Sequence, residues 1–124
     1  MEKRDGFFKH QKISFGYAIE GIIFSFENGL HFKFHILTTV LVVFLGLIYS
    51  INSTEWLILI LISAAVISAE AMNTAIEQTC NMLHPESHPT AKLAKHCAAG
   101  AVLILSLAAI LIGLIIFIPK IFSN

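Results

Sequence analysis

Long apolar runs separated by short polar segments dominate the pattern along this chain. Runs at about residues 31–51, 56–81 and 97–119 are each long enough to cross a hydrocarbon core, which needs about 20 mainly apolar residues. The first thirty residues differ, because aromatic and branched apolar side chains alternate there with Lys, His and Glu, as in an amphipathic helix at a membrane interface. The pattern predicts an all-α membrane protein with a surface helix, residues 1–30, and three transmembrane helices in a single domain, residues 1–124.

Composition agrees with this interpretation. Of 124 residues, 56% are hydrophobic and 13% are charged, and the mean hydropathy is +0.80. Such values are not those of a soluble domain. The first apolar run has the length of a span rather than of a signal-peptide core, so we expect it to remain a transmembrane helix. We expect the membrane, and no nucleic acid, among the partners.

Basic residues orient the three predicted spans. Lys and Arg are frequent before and at the start of the first span, and Lys92 and Lys95 precede the third, whereas residues 50–55 contain neither. By the positive-inside rule the N-terminus and the loop 82–96 are cytoplasmic, and residues 50–55 and 120–124 lie outside.

A polar stripe interrupts the second span. At 100° per residue, Glu70, Asn73, Glu77 and Asn81 fall on one narrow face of a helix. Ionisable groups are costly within a membrane, so the stripe has three interpretations. It joins helices by hydrogen bonds, it forms an ion or proton pathway, or it is a site of catalysis at the membrane surface.

The segment that follows favours catalysis. His84 comes directly after the stripe, Glu86 and His88 follow between two prolines, and Lys92 and Lys95 come next. A nucleotide polyphosphate needs compact cationic partners, and a hard divalent cation takes one or two carboxylates together with phosphate oxygens. Glu77 and Lys95 would supply both, although the prolines are equally typical of a plain turn between helices.

Histidines offer another possible site. His31 and His35 have the i, i+4 spacing of zinc ligands, and His84, His88 and His96 surround the cytoplasmic loop. No carboxylate lies between the first two as in a metalloprotease helix. We therefore interpret these histidines as interfacial anchors rather than as a transition-metal site.

Several motifs together resemble the small prokaryotic diacylglycerol kinases, a family that includes the undecaprenol kinases. The motifs are Glu70-x-x-Asn73-x-Ala75-Ile76-Glu77, Pro85-Glu86-x-His88-Pro89, Ala91-Lys92-x-Ala94-Lys95, Ala98-Ala99-Gly100-Ala101-Val102-Leu103, Ser14-Phe15-x-Tyr17-Ala18-x-x-Gly21 and Phe32-Lys33-x-His35. The resemblance runs without gaps over nearly the whole chain. It implies a homotrimer in the bacterial inner (plasma) membrane that uses ATP and Mg²⁺ to phosphorylate a lipid alcohol at the cytoplasmic interface, in active sites between subunits.

The resemblance also implies roles for individual residues. Glu70 matches the family's catalytic base and, with Ala99, contacts the lipid substrate. Glu77 matches a glutamate that holds metal and nucleotide, and Asn73 and Asn81 support the site. The positions that match nucleotide contacts are Tyr17, Glu77, Glu86, Ser87, His88, Lys95 and His96.

The chain departs from the family pattern at acidic positions. The family's second metal-binding glutamate falls on Gly29, and aspartates are replaced by Asn81 and His96. A tyrosine is replaced by Ser87 and a basic residue by His10. We therefore expect a lipid kinase of reduced or altered activity, in which an acid restored at position 29 would lower the Mg²⁺ requirement.

Alternatives remain open at this stage. One is a catalytically degenerate relative that binds lipid or partners, and another is a small ion-conducting assembly. The Pro85–Pro89 loop and the short, apolar C-terminus resemble undecaprenol kinases more than diacylglycerol kinases, which implies undecaprenol as the substrate.

Overall fold

The protein folds into helices joined by short connections. A computed structural model describes the backbone of residues 2–123 and the side chains of residues 6–29 and 31–123. The helices are α1 (Glu2–Asn28), α2 (Leu30–Ile48), α3 (Ser53–Leu83) and α4 (Pro89–Phe122). The predicted all-α fold is confirmed, and α2, α3 and α4 are long and apolar enough to cross a membrane.

The helices extend beyond the predicted spans. α3 has 31 residues and α4 has 34, whereas a hydrocarbon core needs about 20. The predicted loop 82–96 is helical in its second half, since α4 begins at Pro89, and its cytoplasmic location stays a prediction. Proline suits a first helical turn because its fixed φ is helical and its missing N–H would have no partner there. Lys92, Lys95 and His96 consequently lie on a helix.

The end of the molecule opposite this loop is tightly connected. Asn52 caps α3: its side chain accepts a hydrogen bond from the Glu55 backbone at 3.0 Å, and its own N–H donates to the Glu55 carboxylate at 2.8 Å. Lys120 near the end of α4 pairs with Glu55 at 3.1 Å. Below this pair lies a hydrophobic cluster made of Ile51, Leu59, Ile116 and Phe117, with Val42, Tyr49, Trp56 and Ile112 packed against it.

Most apolar side chains of the spans remain on the surface of the chain. α3 and α4 form the most extensive helix pair, while α1 contacts α2 and α3. In the most apolar stretch of α3 only 28% of the residues are buried, and the other two spans bury less. A single chain of this shape therefore leaves broad apolar faces for lipid or for other protomers.

Candidate active site

The predicted polar stripe lies along α3. The helix is unbroken, so Glu70, Asn73, Glu77 and Asn81 share one face. Glu70 is buried, Asn73 and Glu77 are half-buried, and Asn81 is exposed. At the helical rise, Glu70 and Asn81 are about 16 Å apart along the axis. The stripe thus leads from a buried carboxylate to a solvent-facing end beside the α3–α4 loop.

Glu70 is buried within a single chain. The residue is only 5% exposed in one chain, whereas the resemblance implies active sites between subunits. The Nε2 atom of His35, on α2, lies 3.2 Å from the Glu70 Oε1 atom. Sequence reasoning missed this contact because it considered His35 only as a partner of His31 and as part of a family motif. Helical periodicity relates residues on one helix and carries no signal for a pair on two helices.

Asn73 contacts Glu77 rather than Glu70. Its Nδ2 group donates a hydrogen bond to the Glu77 Oε1 atom at 3.1 Å. Glu77 is an i, i+4 neighbour on the same helix face, which accounts for this pairing. The supporting role of Asn73 in the site stays a prediction. The Asn73 Oδ1 atom is buried and has no hydrogen-bond partner among the described residues. A carboxylate and an unsatisfied carboxamide oxygen thus lie together.

The α3–α4 loop forms a polar cavity at the exposed end of the stripe. The cavity has a volume of about 260 Å³ and is lined by Asn81, His84, Pro85, Glu86, Ser87, His88, Ala91, Lys92 and Lys95. The Lys95 ammonium donates a hydrogen bond to the Asn81 side chain. The rings of His84 and His88 stack with centroids 4.1 Å apart. Most of the predicted nucleotide contacts therefore meet here, with two lysines on one wall.

Three other predicted site residues lie outside both the stripe and this cavity. Tyr17 is on α1 with 68% of its surface exposed, and His96 and Ala99 are exposed on α4. None of the three lines the loop cavity. Residues of one subunit that are exposed and separate in this way would join a site only if a nucleotide, a lipid or another protomer bridged them.

Gly29 separates α1 from α2 and is tightly enclosed. Its N–H donates to the Ser25 carbonyl at 2.9 Å, and a Cβ atom added at Gly29 would lie 2.6 Å from that same oxygen. A glutamate or aspartate at position 29 therefore requires the backbone around Ser25 or Gly29 to shift first. No group of three or more potential metal-binding side chains occurs in the described part of the chain.

Adding a side chain at position 29 should destabilise the protein. Both Gly29→Ala and Gly29→Glu place a Cβ against backbone, and such overpacking costs about 1–3 kcal/mol of unfolding free energy. Thermal unfolding in mild detergent, followed by circular dichroism, measures the loss. Gly29→Ala isolates the steric cost from that of the carboxylate. A Gly29→Glu protein as stable as wild type, with a lower Mg²⁺ requirement, would contradict this account.

An apolar cavity lies deeper in the helix bundle. It has a volume of about 400 Å³ and is lined by residues of α2, α3 and α4, among them His35, Val42, Leu59 and Phe117. Ser106 also lines it, and its buried hydroxyl has no partner among the described residues. His35 thus stands between this apolar space and the Glu70 carboxylate.

Comparison with known proteins places this arrangement among related sequences. The profile of a family described as Prokaryotic diacylglycerol kinase matches residues 16–117. The undecaprenol kinase of Bacillus subtilis (strain 168) is 37% identical over 107 residues, which are 86% of this chain and 87% of that protein. The diacylglycerol kinase of Synechocystis sp. is 34% identical over 112 residues, which are 90% of this chain and 64% of that protein. The profile match includes every candidate site residue from Tyr17 to Ala99.

Proposed function

Because the chain belongs to the prokaryotic diacylglycerol kinase family and is therefore a membrane lipid kinase, we propose that it transfers the γ-phosphoryl group of ATP to undecaprenol. The reaction takes place at the cytoplasmic face of the bacterial plasma membrane. The observation that carries the proposal is the order of groups along α3. A buried carboxylate, Glu70, is followed by the Asn73–Glu77 pair and then by the lysine-bearing cavity.

Glu70 is the general base in this proposal. The lipid hydroxyl oxygen attacks the γ-phosphorus of ATP while its proton passes to the Glu70 carboxylate. The new P–O bond forms as the bond from the γ-phosphorus to the bridging oxygen breaks, and ADP leaves with that electron pair. Phosphoryl transfer needs mainly positioning and charge stabilisation, and a positioned base adds about 100- to 10,000-fold. Burial of Glu70 within the span suits an acceptor that arrives from the bilayer.

The Asn73–Glu77 pair fits a divalent cation, proposed here as Mg²⁺. Hard cations take oxygen ligands, and Mg²⁺ is typically held by one or two carboxylates with phosphate oxygens and water. Glu77 offers a carboxylate. The Asn73 Oδ1 atom is a buried oxygen that accepts no hydrogen bond from any described residue. When bound, Mg²⁺ neutralises charge on the phosphates. Glu77 and Asn73 would hold it, without a second carboxylate at position 29.

The loop cavity is the proposed nucleotide site. Lys92 and Lys95 line it and carry the charge that a polyphosphate needs, while Glu86 and His88 offer polar contacts to the nucleoside. Lys95 bonds Asn81, the outermost residue of the stripe. Glu77 lies only about 6 Å further along the helix axis. A nucleotide bound at the loop can therefore extend its phosphates along α3 toward Glu70.

Undecaprenol is the preferred acceptor in this proposal. The identity to an undecaprenol kinase is 37% over nearly the full length of both chains, against 34% to a diacylglycerol kinase over part of that protein. The Pro85–Pro89 loop carries the sequence pattern that favours the same choice. Undecaprenol has one hydroxyl and a long hydrocarbon chain, so its recognition requires no polar side chains near Glu70 that bind a lipid headgroup.

A direct assay tests the substrate. Purified protein in mixed micelles with MgATP should phosphorylate undecaprenol with a kcat/KM at least about tenfold above that for diacylglycerol, a difference of about 1.4 kcal/mol in transition-state binding. Radiolabelled γ-phosphate transfer, resolved by thin-layer chromatography, measures both products. Equal rates, or faster phosphorylation of diacylglycerol, would overturn the preference. A protein that phosphorylates neither lipid at millimolar ATP would be a degenerate member of the family.

The proposal includes a homotrimer with the N-terminus in the cytoplasm. The charge pattern supports this orientation, because Lys and Arg cluster before the first span and in the region from Lys92 to Lys95. The exposed apolar faces of the spans support association, as does the half-buried state of Asn73 and Glu77. One chain already buries Glu70, and a neighbouring protomer would bury the rest of the stripe.

A further inference from the structure

We infer that His35 is a positioning residue for the kinase reaction, holding the Glu70 carboxylate by donating a hydrogen bond from its Nε2–H group. The two atoms are 3.2 Å apart and join α2 to α3. The inference rests on the proposed role of Glu70 as base and extends it to a residue outside the predicted site. It gives the histidine a task that neither zinc binding nor interfacial anchoring would provide.

The surroundings of Glu70 make this contact important. The side chains of His35 and Glu70 are only 16% and 7% exposed, and an ionised carboxylate in such a place needs a donor in compensation. Among the side chains of residues 6–29 and 31–123, no Lys or Arg forms an ion pair with Glu70. The Thr74 hydroxyl, one turn away, bonds the Glu70 backbone carbonyl and leaves the carboxylate alone. His35 is thus the described side chain placed to donate a hydrogen bond to the Glu70 carboxylate.

The geometry of the contact leaves the base free to react. His35 occupies Oε1 of the carboxylate, so Oε2 remains to accept the proton of the lipid hydroxyl. A neutral imidazole can donate from Nε2 while Nδ1 carries a lone pair. The same ring lines the apolar cavity, and a hydrogen bond in such low-dielectric surroundings is stronger than one in water. Fixing the orientation of the Glu70 carboxylate should increase the rate of phosphoryl transfer, because the attack requires near alignment of the reacting atoms.

His31 provides a matched comparison on the same helix. It lies one turn before His35 and is exposed, and its side chain forms no ion pair with any other described side chain. A role for histidines in general at this interface would affect both residues alike. A role in holding Glu70 would affect only His35.

Amide substitutions separate hydrogen bonding from bulk. In His35→Gln the terminal amide nitrogen can occupy nearly the place of Nε2 and donate to Glu70, whereas the shorter His35→Asn cannot reach it. We expect His35→Asn to lower kcat for lipid phosphorylation by about 10- to 100-fold, the usual cost of losing a group that orients a reactive residue. His35→Gln should keep kcat within about threefold of wild type, and His31→Asn should match wild type.

The Michaelis constant for ATP separates positioning from a structural role. The nucleotide cavity is about 16 Å from Glu70 along α3, so loss of the His35 contact should leave the KM for ATP within about twofold. A general loss of structure would raise KM and lower the melting temperature as well. The measurements are initial rates in mixed micelles over a range of ATP concentrations, together with thermal unfolding of each variant.

Combining substitutions distinguishes failure of this inference from failure of the proposed function. If His35 acts through Glu70, adding His35→Asn to Glu70→Gln should cause no further loss. Wild-type kcat in His35→Asn together with an inactive Glu70→Gln would overturn the inference alone. Equal losses in His35→Gln and His35→Asn, or a parallel rise in the KM for ATP, would overturn it too. Full turnover in Glu70→Gln would overturn both.

Discussion

Glu70→Gln should lower kcat for lipid phosphorylation by about 100- to 10,000-fold, the contribution of a positioned general base. The amide has nearly the shape of the carboxylate but cannot accept the proton of the attacking hydroxyl. Glutamine also keeps an oxygen that can accept the hydrogen bond from His35, so the contact between α2 and α3 is preserved. Radiolabel transfer at saturating lipid and ATP measures the effect on kcat.

A neighbouring substitution controls for disturbance of α3. Ser68 is exposed on the same helix, and Ser68→Ala should retain wild-type turnover with an unchanged melting temperature. A Glu70→Gln enzyme with more than about a tenth of the wild-type kcat would show that another group accepts the proton. If Glu70→Gln instead abolished proton flux in liposomes without ATP, the stripe would be an ion pathway and not a catalytic site.

Glu77→Gln should raise the Mg²⁺ concentration needed for half-maximal activity by about 5- to 150-fold, which corresponds to about 1–3 kcal/mol. The reason is that the described site offers a single carboxylate beside Asn73, with glycine at position 29, where the family resemblance implies a second one. A site with one acidic ligand has little to compensate for its loss. Initial rates at saturating ATP over a range of free Mg²⁺ concentrations measure the shift.

Thr79→Ala is the matched control for this variant. The Thr79 hydroxyl is exposed and bonds only the carbonyl of Ala75 within its own helix, so its removal should leave the Mg²⁺ requirement unchanged. If Glu77→Gln shows the wild-type Mg²⁺ dependence, the cation is held elsewhere, and the free Asn73 oxygen requires another explanation. A shift in the KM for ATP alone would assign Glu77 to nucleotide binding only.

The fold and the stripe were predictable because both follow from periodicity. Span length follows from the run of apolar residues, and a 3.6-residue period brings Glu70 and Glu77 to one face whenever the helix is unbroken. The cavity formed by Glu86, His88 and Lys95 was predictable for a similar reason, since these residues lie within one short connection and the helical turns beside it.

Contacts between helices were not predictable in the same way. The pairing of His35 with Glu70 depends on the relative rotation and depth of α2 and α3, which packing sets and a single sequence does not reveal. Gly29 shows a related limit. Its lack of a carboxylate was evident, but its contact with the Ser25 carbonyl depends on the angle at which α1 meets α2. Asn73 has glutamates at similar spacing on both sides, Glu70 and Glu77, and spacing alone did not show that its side chain contacts Glu77.

The capped and ion-paired end of the bundle has a consequence for the catalytic cycle. Asn52, Glu55 and Lys120 fasten the termini of α3 and α4 there, above the hydrophobic cluster, whereas every residue from Asn81 to Thr90 is exposed. Local opening costs least where few buried contacts must be broken. Local opening is therefore expected around the short connection from Leu83 to Pro89 and not at the capped end. Under the proposed function, such opening would release the spent nucleotide from the loop cavity while the packing around Glu70 is retained.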